Sequence, residues 1–505
     1  MVHSDYARLL AAIFVFTSGS ASSQEIVYRL TDLGTLGGEF VYPRAMNGSG
    51  QVTGSAQTDN AVEHAFLWDG TEMLDLDPGG PQSEGIDINN AGQVAGVTQS
   101  GGAVIWNGAT MQPLGSLGGD TRVALSINAS GKVTGYSDLT GNERTHAFLW
   151  DGATMQDLGA LGAANNSYGH AINAAGHVTG IFGPAGGDTY RAFVWDGTSM
   201  RSLGTLGGAQ SFPSAINDTD RVTGYSGLGD GKGTHAFLWN GTKMRDLGTL
   251  EGKRSQGIAI NVKGQVTGDA DTTDGERHAF LWDGTVMRDL GTLAAGKTSQ
   301  GNAVNARGQV TGTSAIEAND DGFNEVRAFV SFGGLMQALD SLVDSQDPLV
   351  ADVTLVQGID INGRGQIVAV GCDSATLGDC HGFLVTPLEY QIQFLAPATG
   401  SAWQPDDTVP VRVALVDVNG KRITDARALL MAASCRMKLS DVGARSPKTE
   451  CMNYNATTHR FYLDWILGTP VRAGGLSLRV AATYKFTMPQ AVTTTQLKGL
   501  RVIQP

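Results

Sequence analysis

Residues 278–312, HAFLWDGTVMRDLGTLAAGKTSQGNAVNARGQVTG, decide how this chain is read. Nearly the same text returns along its length. HAFLWDG stands at 64–70 and 146–152, RAFVWDG at 191–197 and HAFLWNG at 235–241. The unit holds four short apolar segments. In the first, AFLW, Phe and Trp point one way and Ala and Leu the other, so both faces of that strand must be covered. An Asp-Gly or Asn-Gly turn follows, as at Asp69-Gly70, Asp151-Gly152 and Asn240-Gly241. Trp68 and Met73 sit five apart, as do Trp150 and Met155, which predicts a tight hairpin into the second segment, M-x-x-L-G-x-L. The third segment ends in Ile-Asn, as at Ile260-Asn261, and the fourth reads G-Q-V-T-G.

Between third and fourth lies N-x-x-G, from Asn47 to Gly50 through Asn362 to Gly365. Asn bonds the backbone of its own turn, and Gly supplies the positive φ that closes it. Asp220 replaces Gly in one copy, and Asp tolerates that conformation better than most residues. The third and fourth segments occur eight times at a mid-array period of about 44 residues. Four short strands at that period predict an all-β propeller with eight blades, or seven should the degenerate last unit be irregular. A three-sided solenoid has shorter coils. The array opens on a second segment, YRLTDLGTLGG (28–38), and closes on a first, HGFLV (381–385). These two are expected to pair and seal the ring, 381–387 adding one strand to three from 27–57.

The literal His-Ala-Phe at 64–66, 146–148, 235–237 and 278–280, with GQVTG-type strands between, resembles the bacterial extracellular HAF-repeat proteins. The likeness covers roughly 27–387. It implies export and a repeat-built β structure, and brings no catalytic assignment. The array is taken as 24–387 and the remainder, 388–505, as a separate β-sandwich. YQIQFLAP opens that part, TVPVRVALVDVNGKRITDA (408–426) alternates around Asn419-Gly420, and FYLDWIL and LSLRVAATY follow. It resembles bacterial immunoglobulin-like surface modules.

Residues 1–23 read as a secretory signal peptide: Arg8, the apolar run LLAAIFVFT, then Ala21-Ser22-Ser23. That run is too short for a membrane of about 30 Å, and no later stretch is long and apolar enough. The 505 residues carry a net charge of −14, which argues against nucleic acid as a partner. The 69 glycines suit many short strands and tight turns. Four cysteines fall as two local pairs, Cys372 with Cys380 and Cys435 with Cys451. In an oxidising compartment each pair is expected to close a small disulfide loop, free thiols being the alternative.

Candidate chemistry is sparse. Five histidines share one repeat position: His64, His146, His235, His278 and His381. Arg191, Arg327 and Gly102 take the same place, and Arg is no metal ligand, so a polar contact between strands or blades is expected. Six tryptophans recur (Trp68, Trp106, Trp150, Trp195, Trp239, Trp282) on an apolar strand, which predicts core rather than a sugar platform. Acidic loops at 228–233, 269–276 and 317–325 vary in text, as rim loops do. Asp320 and Asp321 hint at calcium, but no calcium motif is met. No catalytic motif is found, and no catalytic, cofactor-binding or metal-binding residue is assigned. The expectation is a secreted, monomeric, non-catalytic binding or scaffold protein offering its loops to a glycan or a surface protein. The alternatives are a propeller hydrolase or lyase acting on polysaccharide, recognisable by converging carboxylates, and a purely structural cell-surface protein.

Overall fold

The computed structural model describes residues 28–99, 102–162, 165–229, 231–294, 296–316, 325–344, 347–374 and 379–388, with strands between 390 and 502 described as backbone. Within 28–388 the chain is all-β apart from one short 3-10 turn, Asp340–Leu342, and forms eight four-stranded antiparallel sheets. It is an eight-bladed propeller. In the first blade the order from the centre outward is Gly37–Met46, Val52–Thr58, Glu63–Trp68 and Met73–Asp75. The next six blades span 83–113, 118–157, 165–202, 207–246, 251–291 and 299–338. Third and fourth segments make the two inner strands of each blade, AFLW the next, and M-x-x-L the outermost.

The eighth blade corrects one expectation. Tyr28–Asp32 pairs with Cys380–Pro387, as the repeat phase predicts. The split is inverted, however. Val353–Ile361, Ile367–Asp373 and Cys380–Pro387 come from the end of the array, and 28–32 adds only the outermost strand. The reason lies in the L-G-x-L stretch. It is the crossover to the next blade's innermost strand, so the third segment belongs with the AFLW strand that follows it.

The AFLW strand packs as its pattern requires. Phe66 and Trp68 join a core with Val41, Val52, Val368 and Leu384, facing the eighth blade. Ala65 and Leu67 join Ile88, Val94 and Trp106, facing the second. The same alternation repeats where Ala147 and Leu149 meet Phe193 and Trp195. A single buried Phe or Leu contributes roughly 1.5–3 kcal/mol, so the blade contacts supply most of the stabilisation. The six tryptophans are core residues, none more than 5% exposed.

GQVTG is now readable letter by letter. The Thr hydroxyl donates to a Phe carbonyl on the next strand, as from Thr53 to Phe66 at 2.7 Å and Thr134 to Phe148 at 2.8 Å. Any side chain on the final Gly, such as Gly54 or Gly268, would run into a carbonyl of the innermost strand at its bulge.

The Asn of each N-x-x-G turn does more than hold its own turn. Asn47 Nδ2 donates to the Asn89 carbonyl, Asn89 to Asn128, Asn128 to Asn173 and Asn173 to Asn217. Asn217 donates to Asn261, Asn261 to Asn305, Asn305 to Asn362, and Asn362 back to Asn47 at 3.3 Å. Eight buried amides thus form a closed circle of hydrogen bonds around the axis. Buried polar groups pair almost without exception, and here the partner is always the next blade.

Beyond 390 the strands fall into two sheets. One orders Tyr390–Ala396, Thr408–Asp417, Arg460–Ile466 and Asn453–Asn455. The other orders Ala402–Trp403, Ala491–Val502, Gly474–Tyr484, Met437–Asp441 and Thr449–Cys451. The signal peptide, the Asn419-Gly420 turn, Cys435 and its pairing, Asp320 and Asp321 lie outside the described residues.

Candidate functional site

The innermost strand carries one position whose residue differs from blade to blade, just before the bulge. Blade by blade it holds Tyr42, Glu84, Val123, Tyr168, Phe212, Gln256, Gln300 and Gln357. Equivalent register in eight blades places these residues in one ring around the axis. Three members of that ring, Tyr42, Glu84 and Gln357, line a cavity of about 680 Å³. Its lining comes from the first, second, seventh and eighth blades and includes Tyr42, Arg44, Glu63, Glu84, Asn302 and Gln357, with Ile359 and Val370 as apolar wall.

The electrostatics of the cavity are set by one pair. Arg44 Nε donates to Glu84 Oε1 at 2.6 Å, joining the first two blades. Arg44 keeps 60% of its side chain exposed, so solvent screening leaves the pair little stabilising value and keeps the guanidinium available. Asn302 Nδ2 donates to the Gly358 carbonyl at 2.8 Å, while Gln357 is exposed. Tyr42 stacks on Phe40 at 6.2 Å and still keeps 46% of its surface exposed, which is high for an aromatic residue.

Two neighbouring members of the ring, Tyr168 and Phe212, are aromatic and sit among further rings. Tyr168 meets Tyr136 edge-on at 5.2 Å and Tyr190 at 6.1 Å, and Phe212 stacks on Tyr225 at 5.0 Å. All five rings are partly exposed. Burial raises the Tyr136 and Tyr225 phenols above the usual value, so both stay neutral donors.

Two carboxylates lie deeper on the same strands. Asp87 Oδ2 accepts Ile127 N and Ser126 Oγ, each at 2.9 Å, from the third blade. Asp360 Oδ2 accepts Met46 N of the first blade at 3.2 Å, and its Oδ1 accepts Ile361 N at 2.7 Å. Burial raises both acids, although backbone donors pull the other way. The negative charge of Asp87 adds to the rise at Asp360.

The repeated histidines prove to be contacts between strands. His64 Nδ1 bonds Asp75 at 2.9 Å, and His146, His235 and His278 bond Asp157, Asp246 and Asp289 at 2.9 to 3.0 Å. Each Asp also accepts a backbone N–H two residues on, as from Gly159 to Asp157. His381 and Asp32 take the same register places in the closing blade. Arg327 instead pairs with Glu325 and Asp340. Among the described residues no cluster of His, Cys, Asp or Glu could hold a metal ion. Cys372 and Cys380 are disulfide-bonded on neighbouring strands of the eighth blade.

The sequence pattern alone did not single out the axial residues. Their signal was present as irregular letters inside a regular segment: YPRAMN at 42–47, EGIDIN at 84–89, FPSAIN at 212–217 and QGIDIN at 357–362. The rim loops drew attention by length and hid this position.

No family model matches the chain, and no curated protein matches it. Among solved structures it is similar to a Mycobacterium tuberculosis puromycin-hydrolyzing peptidase, at 14% identity and a TM-score of 0.34, covering 68% of this chain and 57% of the other. It is also similar to Porphyromonas gingivalis dipeptidyl peptidase 4, at 8% identity and a TM-score of 0.40, covering 78% and 65%. A third is the Aleuria aurantia lectin, at 10% identity and a TM-score of 0.27, covering 69% and 97%. The chain spans less than two thirds of the length of either peptidase. Scores this low support no transfer of function.

Proposed function

We propose that this protein is a secreted, non-catalytic binding protein of the HAF-repeat type that holds a glycan at the axial mouth. The observation that carries the reading is the mouth itself: a cavity of about 680 Å³ lined by Tyr42, Arg44, Glu84, Asn302 and Gln357. Amides and an ion pair match the hydroxyls of a sugar, and exposed rings match its apolar faces. The residues 388–505 act as an immunoglobulin-like sandwich that spaces or attaches the propeller. The Cys372–Cys380 disulfide supports an oxidising destination after export. Glycan-array screening of the full chain, followed by calorimetry on any hit, tests the reading. Tyr42→Ala and Gln357→Ala should each weaken the hit roughly tenfold, the loss of one aromatic or amide contact in a small-ligand site. An array without hits, or variants that bind as the wild type does, would refute it.

A polysaccharide hydrolase remains the second reading, on one observation: the innermost strands carry two carboxylic acids, Asp87 and Asp360, both raised by burial. Their oxygens are engaged by backbone N–H groups of adjoining blades, which favours a structural role. Asp87→Asn and Asp360→Asn assayed on the bound glycan decide between the readings. Turnover lost in both variants with binding retained establishes the hydrolase. Absence of turnover in the wild type removes it.

A further inference from the structure

The N-x-x-G turns gather at one end of the innermost strands, and none of their residues lines the cavity. Each turn bears one cationic or titratable side chain in six successive blades: Lys132, His177, Arg221, Lys263, Arg307 and Arg364. The only carboxylates on these turns are Asp218 and Asp220, both in the fifth blade. Both are engaged. Asp220 Oδ1 accepts from His177 Nδ1 at 2.7 Å and from Asn173 Nδ2 at 2.8 Å, and Asp218 accepts Ala174 N at 3.0 Å. Lys263, Arg307 and Arg364 are exposed, and with Lys132 they make no ion pair among the described residues. Arg221 reaches across to the Lys263 carbonyl at 3.3 Å, and Lys132 lies over Gly176 of the next blade. A chain of net charge −14 thus keeps a basic collar around one axial opening.

We infer that this collar binds an acidic polysaccharide, the anionic groups of successive sugars meeting cations on successive blades. Charges placed one per blade suit a ligand with repeated charges, not a single small anion. The turns carry no Phe, Tyr or Trp on which bases could stack, and the His177 ring is held by Asp220. Val262 is the one large apolar residue exposed there, too little to enter a bilayer. The collar shares no residue with the lining of the proposed glycan mouth, so either assignment can fail alone.

The test uses the full chain on sensors bearing polygalacturonate, dextran sulfate or neutral dextran, at low and at high salt. One variant combines Lys132→Gln, Lys263→Ser, Arg307→Ser and Arg364→Ser. Gln and Ser occupy the same turn positions in other blades, as Gln93 and Ser49 do, so the fold tolerates them. A control variant removes four exposed cations at the opposite ends of these strands: Arg191→Gln, Lys253→Gln, Arg254→Gln and Lys297→Gln. The wild type should bind one or both acidic polymers at low salt, release them at high salt and ignore dextran. The collar variant should lose at least about tenfold in affinity and the control less than about twofold, since complementary charge acts locally. Failure to bind either acidic polymer overturns the inference, as does equal loss in the control. Tighter binding to single-stranded DNA or to anionic lipid vesicles than to both polymers overturns the choice of partner.

Discussion

Removing one amide from the axial circle should damage the protein far more than a turn substitution ordinarily does. Asn261 is 5% exposed and makes four hydrogen bonds. Its Nδ2 donates to Gln265 Oε1 and to the Asn305 carbonyl, each at 2.8 Å. Its Oδ1 accepts Lys263 N and Gln265 N, each at 3.0 Å. At about 1 kcal/mol net per bond, these four set a ceiling near 4 kcal/mol for Asn261→Ala. Solvent at the turn tip can satisfy part of the backbone, so the expected loss is about 3 kcal/mol. Asn362→Ala should lose a similar amount, because its amide makes the corresponding bonds, to Gln366 within its own turn and to the Asn47 carbonyl across the closure. Asn261→Asp keeps the acceptor and removes the donor, turning a carboxylate toward two oxygen acceptors. It should therefore be destabilised near neutrality and recover in acid, when the protonated group can donate. Urea denaturation followed by the fluorescence of the buried tryptophans measures all three variants. A cost below about 1 kcal/mol for Asn261→Ala, or a neutral-pH Asp variant as stable as the wild type, would show that the circle contributes nothing beyond turn geometry.

Replacing His177 by Gln and Asp220 by Gly restores the letters of other blades at both places. Each single change should cost stability and the pair less than their sum, with a coupling of roughly 1 kcal/mol, measurable in a double-mutant cycle; strict additivity would refute the contact. Cys372→Ser opens a loop with a sequence separation of 8, for an expected loss of about 2–3 kcal/mol seen under non-reducing conditions and absent under reduction. The acids should oppose one another in pH dependence. Asp87 and Asp360 are raised by burial, so their stabilising share is present below the unfolded-state value and is lost as pH rises through the folded one. The Asn variants at these positions should gain on the wild type as pH rises. At Asp157 and Asp246 burial pulls upward, but the His hydrogen bond, a Gly N–H and the His charge outweigh it and lower both. Their share is present above the unfolded-state value and is lost as pH falls through the folded one, so Asp246→Asn should cost most near neutrality and least in strong acid.

Much of the fold was legible because each blade repeats the same local demands. Phe148 and Trp150 facing one neighbour, and Ala147 and Leu149 the other, follow from alternation alone. The pairing of 28–32 with 380–387 followed from the phase of the array. Which strands shared that last blade did not, because L-G-x-L reads equally well as the end of one blade or the start of the next. The amide circle was hidden for another reason. Asn47 satisfies its own turn, and nothing local marks the bond its Nδ2 makes to Asn89, 42 residues away. The histidines were legible as polar contacts, but their Asp partners, 11 residues on, looked like ordinary turn residues. The axial site was the least legible. It is made of residues from the first two and the last two blades, which meet only once the ring is closed.

The closing blade shows how a broken framework letter makes room for a site. Seven blades keep Gly opposite the innermost strand's bulge, but the eighth has Ala369, in GQIVAV where others read GQVTG. A Cβ at that place in other blades would strike the facing carbonyl. In the eighth blade the innermost strand carries a second register shift, between Leu355 and Gln357, just before the pair of Gly358 with Ala369. The extra residue moves the backbone where the Cβ needs space, as bulges do. It also sets Gln357 opposite Val370, and both line the axial cavity with Ile359. The cavity therefore takes part of its wall from the blade whose framework letter departs from the others. Variation that is forbidden by packing in the other blades is absorbed here by one bulge, and the side chains so released are the ones a ligand would meet.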